Sequence, residues 1–193
     1  MRIETLRGAE IASRMEALAE LRIEVFREWP YLYAGSADYE RKYLETYVRS
    51  ARSLAILAWD GERCVGASTA LPLADAEAPA QAPFRAISMP IDLVDYFGES
   101  VILRPWRGRG LGVKFFELRE AHAREMGLWI CAFCAVSRPA DHPARPADYV
   151  PNDAFWSHRG YREVPGMKSQ FEWPDVGQTA STPKAMRFWI HEL

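Results

Sequence analysis

Glu99-Ser100-Val101-Ile102-Leu103-Arg104-Pro105-Trp106-Arg107-Gly108-Arg109-Gly110-Leu111-Gly112-Val113-Lys114 is the stretch that decides how this chain is read. Glu99 to Arg104 has the character of a strand, and the glycines after it that of a turn. From Leu111 onward, Leu111, Phe115 and Leu118 share one helical face while Lys114, Glu117, Glu120 and Arg124 share another, which predicts a helix ending near Gly127. Strand, glycine turn and helix in that order outline an anion site. N–H groups at a helix start point outward, the helix dipole adds partial positive charge, and glycines remove side chains that would block close approach. Two familiar phosphate loops do not fit. A dinucleotide fingerprint needs glycine where Val113 stands, and a P-loop needs Gly-Lys where Val113-Lys114 stands.

Upstream, Leu54 to Trp59, the turn Asp60-Gly61 and Arg63 to Leu71 read as a hairpin. Before it, Ile11, Met15, Leu18, Leu21, Val25 and Trp29 recur at helical spacing, so an amphipathic helix ends near Pro30, and Asp38 to Arg52 is a candidate second helix. Leu73 to Pro90, rich in alanine and proline, shows no clear period and reads as an irregular excursion between strands. Downstream, the apolar run Leu128 to Val136 predicts a central strand covered on both faces. After a proline-punctuated loop, Asn152 or Asp153 can cap a short helix that Gly160 terminates. In the tail, Met186, Phe188 and Ile190 alternate with Arg187, Trp189 and His191 as in a strand. The order is mixed α/β without internal repeats.

A chain of 193 residues, 49% hydrophobic, can bury one core, so residues 1–193 are read as one domain. Its 24 basic and 26 acidic residues leave a net charge of −2, and no overall field to hold a nucleic acid or an anionic membrane. A nucleic-acid-binding reading through Arg104, Arg107, Arg109 and Arg138 meets that near-neutral charge and the absence of a basic recognition helix. The amino terminus lacks the pattern of a signal peptide, and no apolar run approaches the roughly 18 residues of a membrane span, so a cytoplasmic location is expected. The three cysteines, Cys64, Cys131 and Cys134, form no disulfide framework. Cys131 and Cys134, three apart on a strand, face opposite sides of the sheet, which argues against a shared metal; Cys134 could still approach a reacting acyl group.

Arg107, Gly110 and Gly112 satisfy the pattern (Gln or Arg)-x-x-Gly-x-(Gly or Ala), which resembles the coenzyme A-binding motif of the GNAT superfamily of N-acetyltransferases. Asp60-Gly61 with Val65-Gly66 is similar to that family's second hairpin. Glu99 to Arg104 resembles its fourth strand, and Phe155-Trp156-Ser157-His158-Arg159-Gly160-Tyr161 its late helix. The resemblance implies an α/β, GNAT-like fold: a single mixed, mostly antiparallel sheet with splayed central strands flanked by helices. It further implies acetyl-CoA as cosubstrate and an amine acceptor, small molecule or peptide; a homodimer is left open. The amides of Arg109, Gly110, Leu111 and Gly112 would hold the pyrophosphate, with Gly108 in the same turn. The backbone of Ile102, Leu103 and Arg104 would pair with the pantetheine arm, while Arg107 and Lys114 add charge and Asn152 joins the cofactor-binding set.

Acetyl transfer to an amine needs a base, a stabilised oxyanion, and a thiolate that is protonated or tolerated. Glu99, alternating with Val101 and Leu103 among apolar neighbours, is the candidate base, because such surroundings raise a carboxyl pKa. Many GNAT-type enzymes carry a tyrosine four residues before the late-helix glycine as the acid. Here that position is Trp156, whose indole has no usable acidic proton, so Tyr149, His158 or Tyr161 substitutes, or the thiolate leaves unassisted. Loss of the acid also admits a non-catalytic acyl-CoA-binding or regulatory module. For the acceptor, the loop Ser137 to Pro151 either shapes a pocket or caps the sheet. Trp29, Tyr31 and Tyr33 follow the first helix, where the family usually places acceptor-binding elements, although core packing explains them as well. Asp75, Glu77, Asp92 and Asp95 precede Glu99 and would favour a cationic acceptor if they lined its pocket, but solvated acids are the commoner case.

Overall fold

A computed structural model describes all 193 residues. In chain order the elements are β1 (Arg2–Arg7), α1 (Met15–Phe26), α2 (Ala37–Arg49), β2 (Leu54–Asp60), β3 (Arg63–Pro72), α3 (Ala78–Ala86), β4 (Val94–Ile102), α4 (Leu111–Glu125), β5 (Ile130–Val136), α5 (Asp153–His158), β6 (Arg162–Trp173) and β7 (Thr182–Glu192). The strands form one seven-stranded sheet in the order β1-β2-β3-β4-β5-β7-β6. Every neighbouring pair is antiparallel except β4 and β5, which run parallel. Helices α1 and α4 both pack on β3 and β4, from opposite faces. Alternation along β4 separates the two layers: Asp95 and Phe97 meet His122 and Phe116 of α4, whereas Tyr96 and Gly98 face the side of α1 and α2. Leu111 and Phe115 anchor the start of α4 in the core. Burying such side chains contributes roughly 1.5–3 kcal/mol each.

The parallel pair is short. Only Val94, Asp95 and Tyr96 find partners, in Ile130, Cys131 and Ala132, after which the two strands part. A bulge lies just beyond that point. Ala70 pairs with Phe97 and Ser68 with Ser100, so β4 takes three steps where β3 takes two. Gly98 sits in this bulge for a steric reason: a Cβ there would lie 1.7 Å from the Tyr47 hydroxyl and 2.8 Å from Thr69 Oγ1. The extra residue turns the Glu99 side chain toward α1 and α2, where it meets Arg22 and Tyr43.

The hairpin, the helix after the glycine turn and the central strand stand where their patterns place them. Leu73 to Pro90 does not match its reading as an irregular excursion, because it contains α3. Pro79 occupies the first turn, where a missing N–H costs nothing, and Pro83 interrupts the interior. The Pro79 carbonyl, which Pro83 cannot reach, accepts instead from Ser169 Oγ of β6 at 2.9 Å. Strand β4 begins at Val94, five residues before the predicted start, because it is buried on both faces and its letters do not alternate there. Strands β1 and β6 carry no strong periodic signal. β1 is an edge strand rich in charge, and β6 contains Pro165-Gly166 within a break in its register against β7. No helix is long and apolar enough to cross a membrane.

Candidate active site

The glycine turn connects β4 to α4. Gly108 and Gly110 both adopt positive φ, +71° and +83°, with open space where a Cβ would be. Gly110 is the N-cap of α4, and no side chain caps the helix. The first intrahelical bond runs from Lys114 N–H to the Gly110 carbonyl, so the N–H groups of Leu111, Gly112 and Val113 have no partner within the helix. These orphan donors, with the dipole behind them, fit a phosphate group without any side-chain cation. Gly112 lets α5 come close: a Cβ on it would be 3.4 Å from the Phe155 ring. Asn152 begins α5 beside this contact but makes no side-chain capping bond.

The charged groups expected near the phosphates behave differently from one another. The Arg107 guanidinium is committed to Glu28, 2.9 Å away, and to the Ile102 carbonyl at 2.8 Å, so it braces the turn against the end of α1. Arg104 is largely exposed and stands 3.8 Å from the same Glu28. Lys114 pairs loosely with Glu117 at 3.6 Å and is half exposed, while Arg109 is exposed and makes no ion pair. Along β4, the Leu103 N–H donates to the Val65 carbonyl, so that amide is unavailable to an added strand. This bond makes Ile102 and Gly66 a non-hydrogen-bonded pair, and the Ile102 N–H therefore points to the edge that faces the gap beside β5.

On the other side of that gap lies a cavity of about 590 Å³, walled by α1, α2, β6 and the segment around α3, with Tyr96, Gly98, Cys134 and Met186 at its floor. Nine of its 22 lining residues are aromatic, and six of these are tyrosines. Glu99 stands behind this wall. Its carboxylate pairs with Arg22 at 2.5 Å and accepts from Tyr43 Oη at 3.2 Å, and Tyr43 Oη lies 2.9 Å from Tyr47 Oη. Arg22 also binds Glu40, so one buried guanidinium serves two buried carboxylates. Burial pushes the Glu99 carboxyl above its ordinary range, and the Arg22 charge offsets only part of that. Oε1 of Glu99 has no hydrogen-bond partner.

The three candidates for the acid are dispersed, and none is bonded to Glu99. The Tyr161 hydroxyl is buried against Glu120, with its ring among Phe97, Phe116 and Phe133 on the α4 side. Burial raises its pKa far above the usual tyrosine value, so it cannot readily supply a proton. His158 is exposed, with Nδ1 2.6 Å from the Ala154 carbonyl. Tyr149 packs edge-on against Trp29, and burial raises its pKa. Trp156 is wedged between Phe133 and Trp189.

The cysteines separate as their spacing requires. Cys134 lines the cavity and meets Tyr96 Oη at 3.1 Å, and burial pushes its thiol up to about 12; buried Cys131 faces Tyr161 and Asp95. No residue of the loop Ser137 to Pro151 lines the cavity. That loop caps instead: Arg138 holds Asp175 in a bidentate pair and donates to the carbonyls of Pro30 and Tyr31. Tyr31 and Tyr33 do line the cavity, as does Glu77, whereas Trp29, Asp75 and Asp92 do not, and Asp95 is buried against His122. Sequence reasoning missed Arg22, Glu40, Tyr43 and Tyr47. Glu40, Tyr43 and Tyr47 fall on one face of α2 at helical spacing, and Arg22 interrupts the apolar face of α1; those were the available signals.

No protein-family model matches the chain, and no curated protein matches it in sequence. Solved structures do match it in fold. A ribosomal-protein-alanine N-acetyltransferase from Brucella melitensis superposes with a TM-score of 0.63 at 13% identity, over 100% of each chain. A GNAT-family acetyltransferase from Staphylococcus aureus Mu50 gives 0.59 at 13%, over 100% of this chain and 99% of that one. An aminoglycoside 6'-acetyltransferase of type Ii gives 0.57 at 14%, over 100% and 97%. The chain has the GNAT acetyltransferase fold, with its short parallel β4–β5 pair and flanking helices.

Proposed function

We propose that residues 1–193 form one N-acetyltransferase unit that moves an acetyl group from acetyl-CoA to an amine by direct attack. The observation that carries this reading is the position of Glu99 at the bulge of β4, with the uncapped glycine turn at the end of the same strand and its carboxylate bonded to Tyr43, which lines the aromatic cavity. The solved structures of the same fold support the reaction class; their names include both a ribosomal-protein alanine and an aminoglycoside as acceptors, so the fold alone does not choose between acceptors.

In this reading the amides of Arg109, Gly110, Leu111 and Gly112 hold the pyrophosphate, Lys114 adds charge, and the Ile102 N–H meets the pantetheine arm. Bound acetyl-CoA supplies a thioester whose carbonyl carbon accepts the amine nitrogen as the C–S bond breaks. Glu99 takes up the proton that the amine loses, passed through the Tyr43 hydroxyl, which touches both the cavity and the carboxylate. Cys134 stays a neutral thiol at ordinary pH, which favours direct attack over an acyl-cysteine route. The thiolate leaves without help from Tyr161.

Trp156, packed between two aromatic rings, favours a second reading, an acyl-CoA-binding module without catalysis. Thiol release over an amine panel, set beside calorimetry of acetyl-CoA, separates the two. Turnover that Glu99→Gln abolishes supports the enzyme. Tight binding with no turnover of any amine supports the module, and absence of binding sinks both.

A further inference from the structure

We infer that the acceptor is a primary amine carried on a flat aromatic body, taken into the cavity as its ammonium form. This rests on the acetyltransferase reading of the same site and adds the chemistry of the second substrate: the ammonium gives one proton to Glu99 through Tyr43 and becomes nucleophilic, and the second, lost as the amide forms, goes to the departing thiolate. The cavity volume, about 590 Å³, suits one small molecule. What its walls offer is mainly aromatic surface, with half of the six tyrosine hydroxyls already engaged and Tyr33 Oη buried without a partner. The hydroxyls of Tyr43 and Tyr47 are bonded to each other, Tyr43 also donates to Glu99, and Tyr96 is engaged with Cys134. A polyhydroxylated amine carries more polar groups than the remaining hydroxyls of Tyr31, Tyr33 and Tyr39 can pair, and a peptide would bring unpaired amides at every residue; a ring loses neither.

Charge sets the sign of the ligand. Arg22 and Lys42 are the cations lining the cavity; Glu77 and Glu172 line it too, and Glu40 and Glu99 stand behind Arg22. The lining itself balances, two against two; behind it Glu40, Glu99 and Asp175 stand against Lys184, which lies over the Trp173 ring, and Arg138, which leaves one negative charge in excess. The aromatic wall already holds one cation by its faces, since Arg22 Cζ lies 4.1 Å from the centroid of Tyr43 and 5.0 Å from that of Phe26. An ammonium would find ring faces of the same kind, with the excess negative charge behind them.

The test is calorimetry of 2-phenylethylamine and tryptamine on the full chain, against 2-phenylethanol, spermidine and kanamycin, followed by thiol release with acetyl-CoA. The arylalkylamines are expected to bind about tenfold tighter than any of the other three. Exchanging both acids at the cavity, Glu77→Gln with Glu172→Gln, should weaken the amines about threefold and leave 2-phenylethanol unchanged. Equal binding of the neutral alcohol, tighter binding of spermidine or kanamycin, or no binding of arylalkylamines overturns the inference. The two readings fail separately. Arylalkylamines that bind but never release thiol leave the ligand class standing and remove the transferase, whereas turnover confined to spermidine or kanamycin keeps the transferase and removes the class.

Discussion

At the glycine turn, the groups that would meet a ligand belong to the main chain; in the cavity under α1 and α2 they belong to side chains from many elements. The turn needs only a strand end, glycines at positive φ and a helix start, all within a few residues. The cavity needs Arg22, Tyr43, Gly98 and Trp173 to meet across a range of more than half the chain. A site made of backbone is local and tolerant of the letters around it. A site made of side chains is as specific as its least obvious contact, and the Glu99–Arg22–Glu40 cluster with its tyrosines is the least obvious here.

If chemistry resides on the cavity side and binding on the turn side, substitutions should split accordingly. The largest effect is expected from Glu99→Gln, which should lower kcat/KM by about 10²–10⁴ while leaving acetyl-CoA affinity unchanged. A matching loss of affinity would blur the two regions. Gly110→Val should do the opposite. A β-branched residue at φ +83° costs roughly 1–2 kcal/mol, so the turn leaves its ligand-ready form, and acetyl-CoA should bind about tenfold more weakly by calorimetry. Gly98→Ala forces a Cβ onto the Tyr47 hydroxyl and should cost about 1–3 kcal/mol in denaturant unfolding; an unchanged midpoint would show that the bulge is more pliant than drawn.

The smallest effect is a shift in pH dependence. The base acts ionised, and burial raises the folded pKa of Glu99, so kcat/KM should fall with decreasing pH from a point above the ordinary glutamate range. The hydrogen bond from Tyr43 favours the carboxylate. Tyr43→Phe should therefore move that acid limb upward by a fraction of a pH unit, in addition to slowing transfer. A limb that stays in place would take Tyr43 out of the proton's path.

Legibility followed the same division. The hairpin over Leu54 to Leu71, the helix after Gly110 and the strand ending at Val136 were readable because their turns and periods are written in neighbouring letters. α3 was not, since Pro83 hides a helix whose freed carbonyl is satisfied by Ser169, some ninety positions on. The burial of Glu99 is legible in its apolar sequence neighbours, but its polar surroundings are not: Arg22, which it pairs with, and Glu40, which shares that guanidinium, look like ordinary charged positions on amphipathic helices. Arg107 fits the motif by its letter, yet the guanidinium is spent on Glu28, a contact that only the folded end of α1 brings about. Tyr161 and Tyr149 were indistinguishable as sources of a proton until packing showed one sealed against Glu120 and the other lying on Trp29.

A crystal structure with acetyl-CoA bound tests the central claim most directly. It should place the pyrophosphate within hydrogen-bonding distance of the Leu111 and Gly112 N–H groups, and the thioester in the gap between Gly98–Ile102 and β5, facing the aromatic cavity. A pyrophosphate held elsewhere, or a thioester with no open path to the cavity and Glu99, would contradict it.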